Sequence, residues 1–417
     1  MIERVQAGPR TGSVRVPCSK SEAHRALIAA ALSKNRVRIE GADASKDVLA
    51  TLTCLNALGA DIVQEESGFV SVKQIGTVPG EKRLCPGESG STLRFLLPLA
   101  GALGLDAQFV MEGSLPGRPI QALADALQKH GMRLEKTGNE LVCRGKLAPG
   151  RYTLPGNVSS QFITGLLFAL PLLPGDSELC VTGETESEGY VCMTLKMLSA
   201  SGVRAEEDKG VFLIPGRQTY DMPPVWALER DWSQAAFFLC MGALSEGGVT
   251  ALDMRTDSLQ GDKAVLKILS EAGACVQAGP KGVTVQKDRL EGVTIDASGI
   301  PDLIPALSAL MSLAKGETRV VNASRLRLKE SDRLMTTCRM LSDLGADIRT
   351  EGDGLVIMGR PFLAGGQTDA QGDHRIAMAA AVAASGSQED VTVLGAECVQ
   401  KSYPRFWQDF KQLEADI

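Results

Sequence analysis

A glycine recurs in this chain at nearly constant intervals, each time in the same setting. The segments Leu55-Asn-Ala-Leu-Gly-Ala-Asp-Ile62, Leu127-Gln-Lys-His-Gly-Met-Arg-Leu134, Leu198-Ser-Ala-Ser-Gly-Val-Arg-Ala205, Leu269-Ser-Glu-Ala-Gly-Ala-Cys-Val276 and Leu341-Ser-Asp-Leu-Gly-Ala-Asp-Ile348 put Gly59, Gly131, Gly202, Gly273 and Gly345 at intervals of 72, 71, 71 and 72 residues. In each, an apolar helix end reaches the glycine and a short strand follows. The residue just past a helix end turns left-handed, and glycine does so without a Cβ penalty. A fixed period of this kind marks one supersecondary unit copied along the chain. Any fold for this chain must be built from those copies.

A second helix shares the period. Its copies begin at Ser19-Lys-Ser-Glu-Ala-His-Arg25, Ser89-Gly-Ser-Thr-Leu-Arg94, Val158-Ser-Ser-Gln161, Arg230-Asp-Trp-Ser233, Ile300-Pro-Asp302 and Gly372-Asp-His-Arg375, and each runs on into small and apolar residues. A helix apolar nearly all round is buried. The unit therefore reads β-α-β-α-β-β, with one buried and one amphipathic helix. Turn signals such as Glu66-Ser-Gly68 and Glu351-Gly-Asp-Gly354 close its hairpins. A sixth copy ends the chain at Phe410-Lys-Gln-Leu-Glu-Ala-Asp-Ile417 without a hairpin. The N-terminus, with turns at Gly8-Pro9 and Thr11-Gly12 and alternation at Ser13-Val-Arg-Val16, is expected to supply the missing strands. A break near Asp221-Met-Pro-Pro-Val-Trp226 then separates three units from three. The expected domains are 1–18 with 229–417, and 19–228, with the site in the cleft between them. The fold class is α/β, or α+β in its segregated strands.

Composition narrows the function. The 417 residues exceed one ordinary core. A net charge of −6 and 4% aromatic residues give neither the basic surface nor the stacking platform of a nucleic-acid binder. Ten cysteines without a Cys-x-x-Cys pair, beside three histidines, suggest reduced thiols in a cytoplasmic protein, with neither a zinc site nor a disulfide frame. No apolar run reaches the roughly 20 residues of a membrane span, and the N-terminus has no apolar signal core.

Polar residues collect where the helices begin. The mouths of the buried helices hold Lys20, Ser21, Arg25, Gly90, Arg94, Ser159, Ser160, Gln161, Asp231, Asp302, Asp373 and Arg375. The amphipathic helices open with Arg118, Ser187 and Tyr190, Asp262, Lys329-Glu-Ser-Asp-Arg333, and Lys401. Taken singly, Asp231, Asp302 and Asp373 read most simply as N-caps. Lys329 to Arg333 reads equally well as a solvated first turn. Repeat equivalence places all these mouths alike, and unpaired N–H groups with Lys and Arg make an anion site. The expected ligand is a phosphorylated, multiply anionic small molecule, or two of them. His374 reads as structural.

Seven motifs in order resemble the 5-enolpyruvylshikimate-3-phosphate synthases across the whole chain. They are Ser19–Arg25, Gly87-Glu-Ser-Gly-Ser-Thr-Leu-Arg94, Gly117-Arg-Pro-Ile120, Ser159-Ser-Gln161, Leu328-Lys-Glu-Ser-Asp-Arg333, Asp373-His-Arg375, and Lys401 before Ser-Tyr-Pro. The resemblance implies the enolpyruvyl transferase fold, an inside-out α/β barrel of six units in two three-unit domains, acting as a monomer. It implies transfer of enolpyruvyl from phosphoenolpyruvate to the 5-hydroxyl of shikimate 3-phosphate, without metal or cofactor, on the route to chorismate and the aromatic amino acids. By position it implies shikimate 3-phosphate on Lys20, Ser21, Arg25, Ser159, Ser160, Gln161, Ser187, Tyr190, Asp302 and Lys329. It likewise implies phosphoenolpyruvate on Lys20, Gly90, Arg118, Gln161, Arg333, Arg375 and Lys401. Asp302 is the expected base, and Glu330 with Lys20 the expected proton-donating pair. Glycine at 90 implies sensitivity to glyphosate.

The chain departs from the family pattern at Cys18, where Gly is usual, at Glu88, where Asn is usual, and at Arg325, which aligns with an Asn that contacts shikimate 3-phosphate in some members. The sister transferases acting on UDP-N-acetylglucosamine carry a catalytic Cys where this chain reads Gly113-Ser-Leu-Pro-Gly117. RNA 3′-phosphate cyclases, on related repeats, need nucleotide binding that the acidic balance disfavours. A non-catalytic phosphometabolite binder would not need the acid and base.

Overall fold

The computed structural model describes residues 1–42, 45–65, 68–76, 80–183 and 187–415. Among them twelve α-helices follow in order: α1 (Lys20–Leu32), α2 (Lys46–Ala57), α3 (Gly90–Leu103), α4 (Gln121–Lys129), α5 (Ser160–Ala169), α6 (Glu188–Ala200), α7 (Trp232–Gly242), α8 (Val265–Glu271), α9 (Ile304–Met311), α10 (Arg333–Asp343), α11 (His374–Ala384) and α12 (Phe406–Gln412). The odd-numbered helices are buried almost all round, as their composition dictates. Every residue of α7, α9 and α11 is buried. The even-numbered ones bury a single face, as α4 does through Leu123, Ala124, Ala126 and Leu127. The five repeat glycines all have positive φ, from 72° to 105°.

The second repeat shows the strand plan. Lys82–Gly87 pairs in parallel with Ala107–Met111 across the buried helix α3. Ala107–Met111 pairs antiparallel with Glu140–Arg144, which takes Arg133–Thr137 on its other edge. The third and fifth repeats have the same order. The hairpin expected at Glu351-Gly-Asp-Gly354 joins Asp347–Glu351 to Gly354–Met358. Glu66, Ser67, Asp416 and Ile417, in the other expected hairpin and the last copy, lie outside the described residues.

The chain divides into two compact units, a carboxy-terminal one of Met1–Pro17 with Glu229–Ile417 and an amino-terminal one of Cys18–Leu228. Each has its own apolar core, built around α1, α3 and α5 or around α7, α9 and α11. Each closes by a strand brought from a distance. Ile2–Val5 pairs antiparallel with Val391–Leu394 of the sixth repeat, and Arg10–Val14 pairs in parallel with Val249–Leu252 of the fourth. In the amino-terminal unit, Val225–Ala227 pairs in parallel with Val37–Glu40 of the first repeat. Two expectations are corrected here. Asp221–Trp226 is not simply a break, because its end is the strand that completes the first sheet. Thr11-Gly12 is not a turn, because both residues lie within Arg10–Val14, with Gly12 opposite Val249.

One close approach ties the second and third repeats. Pro98 lies inside α3 and has no N–H to give the carbonyl of Arg94. That carbonyl lies against Gly165 of α5, where a Cβ would run into the oxygen and stand 3.1 Å from Pro98 Cγ. Gly165→Ala is therefore expected to lower stability by about 1–3 kcal/mol in urea unfolding, with the loss in probes of the amino-terminal unit.

Candidate active site

In the carboxy-terminal unit the predicted residues meet around one guanidinium. Arg333, the first residue of α10, is 1% exposed. Its Nε donates to Asp373 Oδ2 at 2.8 Å, Nη1 to Asp302 Oδ1 at 2.7 Å, and Nη2 to Glu330 Oε2 at 2.6 Å. Burial alone would lower its pKa, but Asp373, Glu330 and Asp302 raise it above the ordinary arginine value. Its charge is therefore permanent.

Asp302 is the second hub. Besides Arg333 it accepts from Arg375 Nη2 on Oδ2 at 3.0 Å, and Lys329 Nζ stands 3.5 Å from Oδ1. Burial pushes this carboxyl up, but Arg375, Lys329 and Arg333 bring it well below the usual carboxylate range. It does not cap a helix. Helix α9 begins at Ile304, with Leu303 in the cap position, so the simplest single-residue reading of Asp302 is corrected. For Asp231 and Asp373 that reading holds: they accept from the backbone N–H of Gln234 and Arg375. Asp373 also grips Arg333.

Lys329, Lys401 and Arg118 do not stand at the first turn of an α-helix. Each ends or follows a 3-10 turn, Ser324–Leu328, Ala396–Lys401 and Leu115–Gly117, where exposed carbonyl ends favour a cation. Burial, with Arg333 and Arg325 adding to it, lowers the Lys329 ammonium to about 8 against the pull of Asp302. The solvated-turn reading of 329–333 is corrected by the burial of Arg333.

The amino-terminal unit holds a second cluster. Ser19 caps α1, and Lys20, its first residue, pairs with Asp47 Oδ2 at 2.8 Å. Ser89 caps α3, placing Gly90 at its start. A Cβ on Gly90 would stand 2.9 Å from Arg94 Nη1 and 3.0 Å from Arg118 Nη1. Arg94 braces this turn by donating to Gln161 Oε1 at 2.6 Å and to the Pro119 carbonyl at 2.9 Å. Gln161 Nε2 donates to Ser91 Oγ at 2.8 Å. Ser159 caps α5, and Ser160 is its first residue. Arg25, 2% exposed, donates to the carbonyls of Ser21 and Tyr190 and to the hydroxyls of Thr164 and Thr194. Ser187 sits at φ 57°, a left-handed conformation rare for serine, at the start of α6.

Several partners escaped sequence reasoning. Asp47 opens the amphipathic helix of the first repeat, the one mouth of that family not considered, and repeat equivalence would have found it. Asp373 was legible only as a cap. Asp262 was noted but given no role. It lies buried in the 3-10 turn Gly261–Ala264, takes a very short hydrogen bond from Ser233 Oγ, and is raised to about 7 by burial and by Asp302.

With this geometry in view, the likeness to known proteins is extensive. The family model described as EPSP synthase (3-phosphoshikimate 1-carboxyvinyltransferase) matches residues 5–410. Two proteins named 3-phosphoshikimate 1-carboxyvinyltransferase are similar over nearly their full length. That of Clostridium kluyveri is 43% identical over 97% of this chain and 96% of its own, and that of Clostridium perfringens 41% over 96% of each. The solved EPSP synthase of Acinetobacter baumannii superposes with a TM-score of 0.83, at 25% identity, over 99% of this chain and 98% of that one. The enolpyruvyl transferase NikO of Streptomyces tendae, at 18% identity and a TM-score of 0.78, shares the fold. Six repeats, two buried cation clusters and near-complete coverage agree, and this chain belongs to the EPSP synthase family.

Proposed function

We propose that this protein transfers the enolpyruvyl group of phosphoenolpyruvate to the 5-hydroxyl of shikimate 3-phosphate and releases phosphate. The observation that carries the reading is Asp302, a carboxylate held ionised by three buried cations. An ionised carboxylate can accept a proton, and anionic substrates that draw those cations away raise its basicity as they bind. Two readings complete the proposal. The chain acts as a monomer, since it supplies every named cation itself, and it works in the cytoplasm, consistent with ten cysteines outside any disulfide.

In the proposed reaction, the 5-oxygen attacks C2 of phosphoenolpyruvate while Asp302 accepts its proton. The methylene carbon C3 takes a proton from Glu330 with Lys20 and becomes a methyl group. A tetrahedral carbon then bears both substrates. In the second step C3 returns a proton, its electron pair re-forms the double bond, and the bond from C2 to the phosphate oxygen breaks. The pairing of Arg333 with Glu330 supports this division of labour. An arriving carboxylate or phosphate competes for Arg333, and Glu330, once released, can carry the proton that C3 requires. Phosphoenolpyruvate would take Arg333, Arg375, Lys401, Arg118 and the Gly90 backbone. Shikimate 3-phosphate would take Lys329, Arg25, Ser159, Ser160, Gln161, Ser187 and Tyr190, with Ser21 and Lys20 beside them.

Phosphate release, assayed with both substrates, tests the reading: wild type releases phosphate, and Asp302→Asn is about 10²–10⁴-fold slower in kcat. No release by wild type would refute the function, and an unimpaired variant would refute the role. Lys329 gives a pH signature. It binds an anion as the ammonium, so kcat/KM for shikimate 3-phosphate should fall as pH rises through about 8. Lys329→Met should lower the plateau by roughly 10- to 100-fold and abolish that limb. Gly90→Ala should raise KM for phosphoenolpyruvate, because the new methyl displaces Arg118. Glyphosate should inhibit wild type competitively with phosphoenolpyruvate and inhibit Gly90→Ala less, as measured by inhibition constants.

A further inference from the structure

Inside the amino-terminal unit, four side chains that the proposed reaction does not use form one line. They are His24 on α1, Thr51 on α2, and Thr92 and Ser89 at the start of α3, each at most 1% exposed. His24 Nδ1 lies 2.7 Å from Thr51 Oγ1, and Thr51 Oγ1 lies 2.6 Å from Thr92 Oγ1. Thr92 Oγ1 donates to Ser89 Oγ at 2.8 Å, and Ser89 Oγ also caps α3 by accepting the Thr92 N–H at 3.3 Å. The next residue after that cap is Gly90.

The protons on this line have one consistent order. Thr92 gives its hydroxyl hydrogen to Ser89, so toward Thr51 it can only accept. Thr51 therefore donates to Thr92, a contact much shorter than its alternative, the Asp47 carbonyl at 3.5 Å. Having spent its hydrogen, Thr51 must accept from His24. The ring thus carries its hydrogen on Nδ1. Burial lowers His24 to about 3, with Asp47 opposing and Lys20 and Arg25 adding to the fall, so the ring stays neutral. A second hydrogen on Nε2 would be buried and unpaired, since that atom has no partner. The ring is fixed edge-on to Phe95, with centroids 6.3 Å apart. The line comes near the proposed site at two of its members: Thr51 stands one helical turn beyond Asp47, which pairs with Lys20, and Ser89 adjoins Gly90.

We propose that His24 is a positioning residue for phosphoenolpyruvate, a one-way Nδ1–H donor that fixes the Ser89 cap and so the backbone of the Gly90 turn. The proposal rests on the assignment of phosphoenolpyruvate to that turn. A rigid cap holds the first N–H groups of α3 where an anion can use them. Loss of the donor leaves the Thr51 hydroxyl free to turn toward the Asp47 carbonyl, and the cap loses its fixed geometry.

The test is kinetic and spectroscopic. His24→Leu, close in volume but without a donor, is expected to raise KM for phosphoenolpyruvate about tenfold while kcat and KM for shikimate 3-phosphate stay within twofold. His24→Asn, whose amide can donate from nearly the same place, should restore KM to within twofold of wild type. In wild type, ¹⁵N spectra should show His24 as the neutral Nδ1–H tautomer, unchanged between pH 5 and 8. That measurement needs no variant and no substrate. An Nε2–H or charged ring would overturn the proposal. So would a His24→Leu protein whose two KM values rise together, or whose KM for phosphoenolpyruvate is unchanged. If wild type shows the expected tautomer yet releases no phosphate with both substrates, the assigned function has failed, and the role toward phosphoenolpyruvate fails with it while the hydrogen-bond order stands.

Discussion

A buried guanidinium surrounded by three carboxylates governs the chemistry of the carboxy-terminal unit. Arg333 would be costly to bury alone, and Asp302, Glu330 and Asp373 would be costly without it. Together they are satisfied by hydrogen bonds of 2.6–2.8 Å. The arrangement fixes where α10 begins relative to α9 and α11, because one carboxylate lies just before α9 and another caps α11. Removing a single member of such a set typically costs about 3–5 kcal/mol, because an uncompensated charge is left behind. The charge balance is local: the Asp302 carboxylate, shared by Arg333, Arg375 and Lys329, stays ionised, while Asp262, buried and under the negative charge of Asp302, is raised to about 7.

The amino-terminal unit solves a similar problem with mostly neutral partners. Arg25 is satisfied by carbonyls and threonine hydroxyls, and Arg94 by the Gln161 amide and the Pro119 carbonyl. Lys20 pairs with the buried carboxylate of Asp47, and buried Glu22 acts on Arg25 through space. Neutral partners satisfy the hydrogen bonds of a guanidinium without cancelling its charge. In the other unit the carboxylates are part of the proposed chemistry and must be displaced from their cations as substrate arrives. The same repeat thus carries two kinds of mouth, one whose arginines take mostly neutral partners and one whose cations are held by carboxylates.

Much of this was legible in the sequence because the repeat glycines impose a backbone requirement that no other residue meets cheaply. Their spacing marks five units and the segment at 410–417 a sixth, and the apolar runs behind Lys20, Gly90, Ser160, Asp231, Asp302 and Asp373 mark the buried helices. Local rules failed where tertiary contacts decide. Val225-Trp226-Ala227 follows two prolines and reads as a linker, yet it completes the sheet begun some two hundred residues earlier. Asp302 looks like a cap because it precedes an apolar helix, but Lys329 and Arg333 of its own repeat and Arg375 of the next claim its carboxylate. Lys329 looks misplaced at a helix start because a 3-10 turn, invisible in composition, intervenes. The His24 line was not legible at all, since its members come from three helices and each residue alone is ordinary.

The central claim is that Asp302, held ionised by Lys329, Arg333 and Arg375, starts a reaction that passes through a covalent adduct of both substrates. A rapid-quench experiment under single-turnover conditions, with protein in excess over shikimate 3-phosphate and phosphoenolpyruvate, tests it directly. The adduct should appear before free phosphate and decay as phosphate accumulates, and in Asp302→Asn its formation should be the step that slows. Phosphate appearing from the wild type with no adduct at any time, or an adduct forming at the wild-type rate in Asp302→Asn, would contradict the account.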